Sequence, residues 1–150
     1  MTKKSLHIIG RFESVDLPEW NIRDIEAKID TGAYTSSLHC HHIEEFIKND
    51  IPWIRFNLLD PEHAAYNDKL IELPIFDTRE VKSSNGYKEL RFFIKTEIGM
   101  FNKTFKIELS LTDRSEMKYP LLIGRKFIHK KFVVDVSKKH LSNRKIEEKS

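Results

Sequence analysis

Apolar residues recur at every second position in several separate stretches of this 150-residue chain, and that period constrains the fold more than any other feature. Side chains alternate between the two faces of a β-strand, whereas the apolar face of a helix repeats about every 3.6 residues. The chain is therefore predicted to be all-β, with the apolar run 132–136 as a last, well-buried strand. The clearest alternations occupy residues 25–29, 54–58, 90–94 and 105–111.

Glycine and asparagine mark the turns between the predicted strands. Asn85-Gly86 lies between two strand-like segments, and this dipeptide favours the positive φ angles of a tight hairpin. Gly99 and Asn102-Lys103 predict the turns that follow. The only helical segment predicted is a short one over residues 125–129, which follows an apolar strand.

The chain is predicted to form a single domain over residues 6–140, because no repeat or Pro/Gly/Ser-rich linker divides it. Residues 1–5 are predicted to be a flexible N-terminus, and residues 141–150 a flexible tail of mixed basic and acidic residues.

Composition limits the compartment and the partners. A single cysteine, Cys40, excludes an internal disulfide and favours a reducing compartment. No apolar run has the length of a membrane span or a secretory signal, so a cytoplasmic location without a membrane partner is predicted. The 26 basic residues nearly match the 23 acidic ones, leaving a net charge of +3. That balance does not require a nucleic acid partner, and none is predicted.

The first segment that suggests chemistry is Asp30-Thr31-Gly32-Ala33, at the end of one alternating strand and before another. Gly32 allows a sharp turn and brings backbone N–H groups close to whatever lies over it. Asp30 would stand at the tip of that turn. The triplet alone fits both a catalytic carboxylate and an ordinary turn closed by an Asx hydrogen bond.

The second segment is an apolar strand that ends in Gly124-Arg125, with the short helix after it. In aspartic peptidases an Asp-Thr-Gly turn is followed much later by such a strand, which packs beneath the catalytic loop. Between the two lies a hairpin that folds over the substrate, and Asn85-Gly86 occupies that place in the order. An unrelated β-sandwich remains the alternative interpretation of the same features.

At these residues the chain resembles the retropepsin-like aspartic peptidases of a family that carries the label ATP-dependent zinc protease. In bacteria this family is associated with the ligase that adds glutamates to ribosomal protein S6. The matching stretches span residues 7 to about 141: Ala27-Lys28-Ile29-Asp30-Thr31-Gly32-Ala33-Tyr34-Thr35-Ser36-Ser37-Leu38-His39, Val81-Lys82-Ser83-Ser84-Asn85-Gly86, Leu111-Thr112-Asp113-Arg114, Met117-Lys118-Tyr119-Pro120-Leu121-Leu122-Ile123-Gly124-Arg125 and Phe132-Val133-Val134-Asp135-Val136.

The resemblance implies a pepsin-like closed barrel, mostly antiparallel, with a flap hairpin and one short helix. It also implies an aspartic endopeptidase that needs no cofactor and acts on peptides or proteins, including poly-glutamate tails. Two carboxylates must share one proton and activate a water, and the chain has one Asp-Thr-Gly, so a homodimer is predicted. The expected catalytic residues are Asp30, Thr31 and Gly32. The expected substrate-binding residues are Ala33, Lys82, Ser83, Ser84, Asn85, Gly86 and Arg125.

One position departs from the retroviral pattern. There the residue after Asp-Thr-Gly-Ala is typically acidic and pairs with the arginine of Gly-Arg, but here it is Tyr34. Arg125 therefore lacks that partner. Three roles stay open for Arg125: a contact at an interface, binding of a substrate carboxylate, and a place on the surface.

Two other classes of function stay open. A zinc-dependent hydrolase would use His39 and His41 of the cluster His39-Cys40-His41-His42, but each face of a strand offers at most two ligands, so no metal site is predicted. A non-catalytic module would bind acidic peptides through basic residues near the cleft, namely Lys28, Arg79, Lys82, Arg91, Arg114 and Arg125.

Overall fold

Strands form most of the chain in a computed structural model that describes residues 6–58, 70–82, 86–113 and 119–142. The elements are β1 (His7–Ile9), β2 (Phe12–Leu17), a 3-10 turn (Pro18–Trp20), β3 (Ile22–Asp30), β4 (Ser36–Lys48), β5 (Ile51–Leu58), β6 (Leu70–Pro74), β7 (Asp77–Lys82), β8 (Lys88–Met100), β9 (Lys103–Thr112), β10 (Leu121–Gly124), α1 (Arg125–Ile128) and β11 (Phe132–Val134). No helix in these ranges is long and apolar enough to cross a membrane.

Six strands pair into a closed ring in the order β10, β3, β2, β8, β9 and β4, and β4 pairs back onto β10. Most pairings are antiparallel, but β10 runs parallel to β3 and β4 runs parallel to β9. The far end of β4 leaves the ring and pairs with β5, which pairs with β6. The prediction of an all-β fold with one short helix is confirmed, in the form of this ring of strands.

The core fills the ring with the alternating residues that the sequence singled out. Leu109 and Ile25 are fully buried, and Ile107 is nearly so. Burial of one such aliphatic side chain contributes about 2 kcal/mol, an upper estimate because unfolded chains already bury part of this surface.

The predicted flap is the hairpin of β7 and β8, whose register pairs Lys82 with Lys88. Gly86 has a φ of 88°, a conformation that glycine adopts without strain. Ser83, Ser84 and Asn85 lie outside the described residues. Residues 88–92 of β8 pair with β7, Phe93 pairs with both β7 and β9, and residues 94–100 pair with β9.

Two details of the β8 region differ from the sequence prediction. Gly99 lies inside β8, and the tight turn is formed by Phe101 and Asn102, with φ values of 54° and 59°. Leu90 was expected to face the core but is exposed, because its part of β8 projects beyond β9. The buried alternation begins only at Ile94.

The prediction of a well-buried final strand over residues 132–136 is wrong. β11 ends at Val134 and pairs only with β1, in a separate two-stranded sheet. Phe132 is buried, but Val133 and Val136 are exposed. A strand with a single partner and one open face buries only part of an apolar run.

The segment after β11, residues 135–142, crosses the first strands and is called here the C-terminal strap. The buried carboxylate of Glu13 accepts backbone N–H groups from Gly10 at 2.8 Å, Leu141 at 3.0 Å and Ser142 at 2.9 Å. A side chain at Gly10 would collide with the backbone of Lys138. Contacts with the domain therefore extend two residues past the boundary at residue 140.

Candidate active site

The connection from β3 to β4, residues 30–35, is called here the Asp30 turn. The backbone N–H of Ala33 donates to the Asp30 carbonyl at 3.2 Å, and the N–H of Gly32 donates to Asp30 Oδ1 at 3.1 Å. Asp30 is half-buried, while Thr31 and Gly32 are exposed. Among the described residues only Oδ1 of this carboxylate accepts a hydrogen bond, and no described donor occupies Oδ2.

The strand β10 lies directly beneath this turn, between β3 and β4. Its register places Gly124 opposite Asp30 and Leu122 opposite Ser37. The backbone N–H of Gly124 donates to the buried Ser36 Oγ at 3.0 Å. A Cβ at Gly124 would lie 2.6 Å from the carbonyl oxygen of Thr35, so only glycine fits this crossing.

The first turn of α1 is held by the Asp30 turn itself. The N–H groups at the start of a helix have no partner within the helix. Here the N–H of Arg125 donates to the Ala33 carbonyl at 2.8 Å, and the N–H of Lys126 donates to the Tyr34 carbonyl at 2.9 Å. The turn and the helix therefore satisfy each other's backbone groups.

The Arg125 side chain folds back over the same turn. Its Nη1 donates to the carbonyl oxygens of Thr31 at 3.3 Å and Gly32 at 3.1 Å. Its guanidinium carbon lies 5.4 Å from the centroid of the Tyr34 ring, within range of a cation–π interaction. Carbonyl oxygens and an aromatic face thus take the place of the acidic partner that Arg125 lacks.

The structure brings together Asp30, Thr31, Gly32, Ala33 and Arg125 in this turn. The other predicted binding residues belong to the flap, where Gly86 and the backbone of Lys82 are described.

Two of the remaining basic candidates, Arg79 and Arg91, are engaged in ion pairs. Arg79 Nε lies 2.7 Å from Asp77 Oδ2, and this hydrogen bond is the main reason that the pKa of Asp77 is lowered. Arg91 pairs with Glu89 at 3.4 Å. Arg114 lies outside the described residues.

A cavity of about 310 Å³ adjoins the end of the Asp30 turn, and sequence reasoning missed it. It is called here the lysine-lined cavity, after Lys95, Lys106, Lys126 and Lys131 in its wall. One sequence feature could have indicated it: a cationic run directly after the Gly124-Arg125 motif, Arg125-Lys126-Phe127-Ile128-His129-Lys130-Lys131.

The histidine cluster lies further along β4. His39 and His41 share a face, as the alternation predicts, and their ring centroids are 4.8 Å apart. His41 Nδ1 lies 3.2 Å from Asp113 Oδ1. Cys40 points to the core, where burial raises the pKa of its thiol, with a smaller contribution from Asp113. In the described part of the chain no three His, Cys, Asp or Glu side chains are grouped so that they could hold a metal ion.

Comparison with known proteins finds a family model described as RimB-like, retropepsin-like aspartic endopeptidase RimB, which matches residues 8–145. A probable alpha-L-glutamate ligase of Shewanella pealeana is 37% identical over 134 residues, covering 87% of this chain and 28% of the ligase. A protein of the same description from Parasynechococcus marenigrum is 33% identical over 144 residues, covering 93% of this chain and 30% of that protein. The chain therefore spans less than a third of the length of these curated relatives.

A solved structure is also similar. The crystal structure of Lpg0085, a protein of unknown function from Legionella pneumophila, superimposes with a TM-score of 0.75 at 30% identity. The match covers 92% of this chain and 99% of the other.

Proposed function

This chain belongs to the RimB-like family of retropepsin-like aspartic endopeptidases, and on that premise we propose that it hydrolyses peptide bonds with a dyad of Asp30 carboxylates. Each carboxylate would come from one of two copies related by a two-fold axis. The observation that carries the proposal is the Asp30 turn, because it holds Oδ1 on the N–H of Gly32 and leaves Oδ2 open.

A second copy is required by the chemistry. A general base and a general acid must act on the same water and carbonyl, and the chain supplies one Asp-Thr-Gly turn. A two-fold axis beside Asp30 would bring the same turn of the partner to face it. Thr31, which is exposed at that face, would brace the two turns against each other.

The dyad would start with one carboxyl protonated and one ionised, because two like charges about 3 Å apart do not both ionise. The ionised carboxylate takes a proton from the water as the water oxygen attacks the carbonyl carbon. The protonated carboxyl gives its proton to the carbonyl oxygen, which forms a tetrahedral diol. One carboxyl then protonates the leaving nitrogen while the diol returns a proton to the other, the C–N bond breaks, and the dyad again holds one proton.

The substrate we propose is a glutamate-rich peptide or protein tail. Support comes from the curated relatives, probable alpha-L-glutamate ligases in which a stretch similar to this chain forms part of a longer protein. A glutamate ligase and a peptidase domain in one polypeptide would act on the same kind of substrate. The flap of β7 and β8 would close over the bound peptide and exclude water.

The direct test compares wild type with Asp30→Asn on glutamate-rich peptides and on glutamine-rich peptides of equal length, with products identified by mass. We expect cleavage of the glutamate-rich peptide and a loss of about a thousandfold in Asp30→Asn. Asp50→Asn is the matched control, because Asp50 is exposed in the turn after β4. Cleavage by Asp30→Asn at the wild-type rate, with activity lost to a chelator, would favour the zinc-dependent alternative and overturn the dyad.

A mixing experiment tests the second copy separately. When excess Asp30→Asn protein is added to wild type, mixed dimers hold only one ionisable carboxyl at position 30. Activity should therefore fall towards zero as the variant is titrated in. Activity that stays proportional to the amount of wild type would mean that each chain works alone.

A further inference from the structure

The lysine-lined cavity is built from several elements that converge next to the Asp30 turn. Thr35 and Ser36, which lead from the turn into β4, form part of its wall. Lys95 comes from β8 and Lys106 from β9, while Lys126 lies in α1. The wall therefore shares residues with the segment that positions Asp30.

The charge of the wall is strongly one-sided. Four lysines face one acidic residue, Glu108, which gives the wall a formal excess of three positive charges. The whole chain has a net charge of +3, so the other 22 basic and 22 acidic residues cancel. The cationic excess of this chain thus equals the excess in the wall of one cavity.

Glu108 shows that the cations of this cavity bind a carboxylate. Its side chain is nearly buried, with 9% exposure, and its carboxylate lies 3.1 Å from Lys126 Nζ and 3.8 Å from Arg79 Nη2. Lys95, Lys106 and Lys131 form no ion pair with any described carboxylate. A carboxylate is therefore already bound in the wall, and three further ammonium groups remain for carboxylates from outside.

The aromatic rings at the cavity favour an acidic peptide over a nucleic acid. Recognition of single-stranded nucleic acid uses open aromatic faces on which bases stack. Here Lys95 Nζ lies 4.0 Å from the centroid of the half-exposed Phe76 ring. Lys131 Nζ lies 5.0 Å from the centroid of the Phe127 ring and donates to the Phe127 carbonyl at 3.1 Å. Cations occupy the ring faces that stacking would need.

We propose that the lysine-lined cavity is a subsite that binds carboxylate side chains of an acidic peptide whose backbone lies across the Asp30 turn. The inference rests on the proposed function for the identity of the peptide. Its own content is the location: Lys95, Lys106 and Lys131 hold acidic side chains at the Thr35–Ser36 side of the turn, away from the reacting carboxylate. Such a subsite selects substrates by charge before hydrolysis begins.

The test measures binding without cleavage, in the Asp30→Asn background. A fluorescent hexaglutamate and a matched hexaglutamine are titrated with the protein, and fluorescence anisotropy gives the Kd. Lys95→Gln and Lys106→Gln should each weaken hexaglutamate binding about fivefold, and the double variant about 25-fold, with a shallower dependence on salt. Lys103→Gln is the matched control on β9: it removes the same charge from an exposed position outside this cavity, and should change the Kd less than twofold.

Several results would overturn the subsite. These are equal weakening by Lys103→Gln, unchanged binding in the double variant, tighter binding of inorganic phosphate than of acetate at the cavity, or tighter binding of a single-stranded RNA of equal charge. Thermal unfolding of the double variant checks that the fold is retained.

The outcomes also separate the two proposals. Lysine-dependent binding in a protein whose wild type never cleaves the peptide would support the subsite and reject the peptidase. Cleavage of hexaglutamate at equal rates by wild type and the double variant would support the peptidase and reject the subsite.

Discussion

The Asp30 turn and the C-terminal strap are both places where one backbone crosses another over a glycine. Beneath the turn, a Cβ at Gly124 would lie 2.6 Å from the Thr35 carbonyl oxygen. At the strap, a side chain on Gly10 would collide with the backbone of Lys138. In both places the close approach joins residues far apart in the sequence, and any side chain would push them apart.

The polar groups that secure the two crossings differ. The strap is held by the Glu13 carboxylate, which is fully buried and accepts three backbone N–H groups. The turn is held by the Ser36 hydroxyl from below and by the exposed Arg125 guanidinium, which donates to two carbonyls of the turn. The strap's anchor serves the fold alone, whereas the turn's anchors set the position of Asp30. Changes at the strap should therefore cost stability, and changes at the turn should cost activity.

The largest effects are expected from adding one methyl group at each glycine. Gly124→Ala and Gly10→Ala should each lower the free energy of unfolding by about 3 kcal/mol, because the methyl group meets backbone atoms that cannot move aside cheaply. Only Gly124→Ala should also abolish cleavage per folded molecule. Urea unfolding combined with specific activity at low temperature measures both. Equal loss of specific activity in the two variants would show that the strap affects activity as much as the turn does.

Glu13→Gln should come next, with a loss of about 2 to 3 kcal/mol of stability and little change in the activity of folded protein. An amide replaces one acceptor oxygen with a donor, so at least one of the three buried N–H groups loses its partner. The matched control is Glu26→Gln at the partly exposed pair with His140, where less than about 1 kcal/mol is expected. Alkylation of the buried Cys40 reports the result, since its thiol should react only when the core opens. A similar alkylation rate for both variants would argue against Glu13 as the strap's anchor.

Arg125→Met should reduce cleavage about tenfold while lowering stability by no more than about 1 kcal/mol. The hydrogen bonds to Thr31 and Gly32 disappear, so the turn that positions Asp30 loosens, but the exposed side chain contributes little to the core. Lys130→Met is the control, because Lys130 is an exposed neighbour of the same segment. If Arg125→Met melts the protein as Gly10→Ala does, the guanidinium is a folding anchor and the contrast fails.

The smallest effect concerns pH at the strap. The Ser137 hydroxyl, with its backbone N–H, holds the pKa of the exposed Asp135 carboxyl below its ordinary value. A carboxyl whose folded pKa is lowered stabilises the fold above its unfolded pKa, and that contribution disappears as pH falls through the folded pKa. Ser137→Ala should therefore slightly reduce stability at neutral pH and flatten its acid dependence below about pH 4. An unchanged acid dependence in thermal melts would show that Asp135 does not contribute.

Sequence periodicity was enough to predict an all-β chain, because strands that bury one face must alternate, whereas the closed ring was predicted only from the family resemblance. Local signals located the Asp30 turn and α1: Gly32 within the turn, and Gly124-Arg125 just before the helix. Where partners are distant, the same reasoning failed. The exposed face of Val133 follows from β11 having a single neighbour, which no local pattern encodes.

The anchors could not be predicted for a related reason. In the sequence Glu13 is an ordinary polar residue of an alternating strand. It is buried because the C-terminal strap, about 128 residues later in the chain, packs over it. The lysine-lined cavity gathers its cations from separate strands and a helix. Only Lys126 and Lys131 belong to a visible cationic run, while Lys95 and Lys106 join them through the pairing of β8 with β9.

The insertion of β10 between β3 and β4 has a consequence for how the molecule is made. The bond from Gly124 to Ser36 spans 88 residues, and that from Arg125 to Thr31 spans 94. Contacts of such long range form late, after local hairpins have already appeared. On the ribosome, the Asp30 turn therefore gains these two hydrogen bonds only after Gly124 and Arg125 have emerged, when the strands on either side of it have long been made.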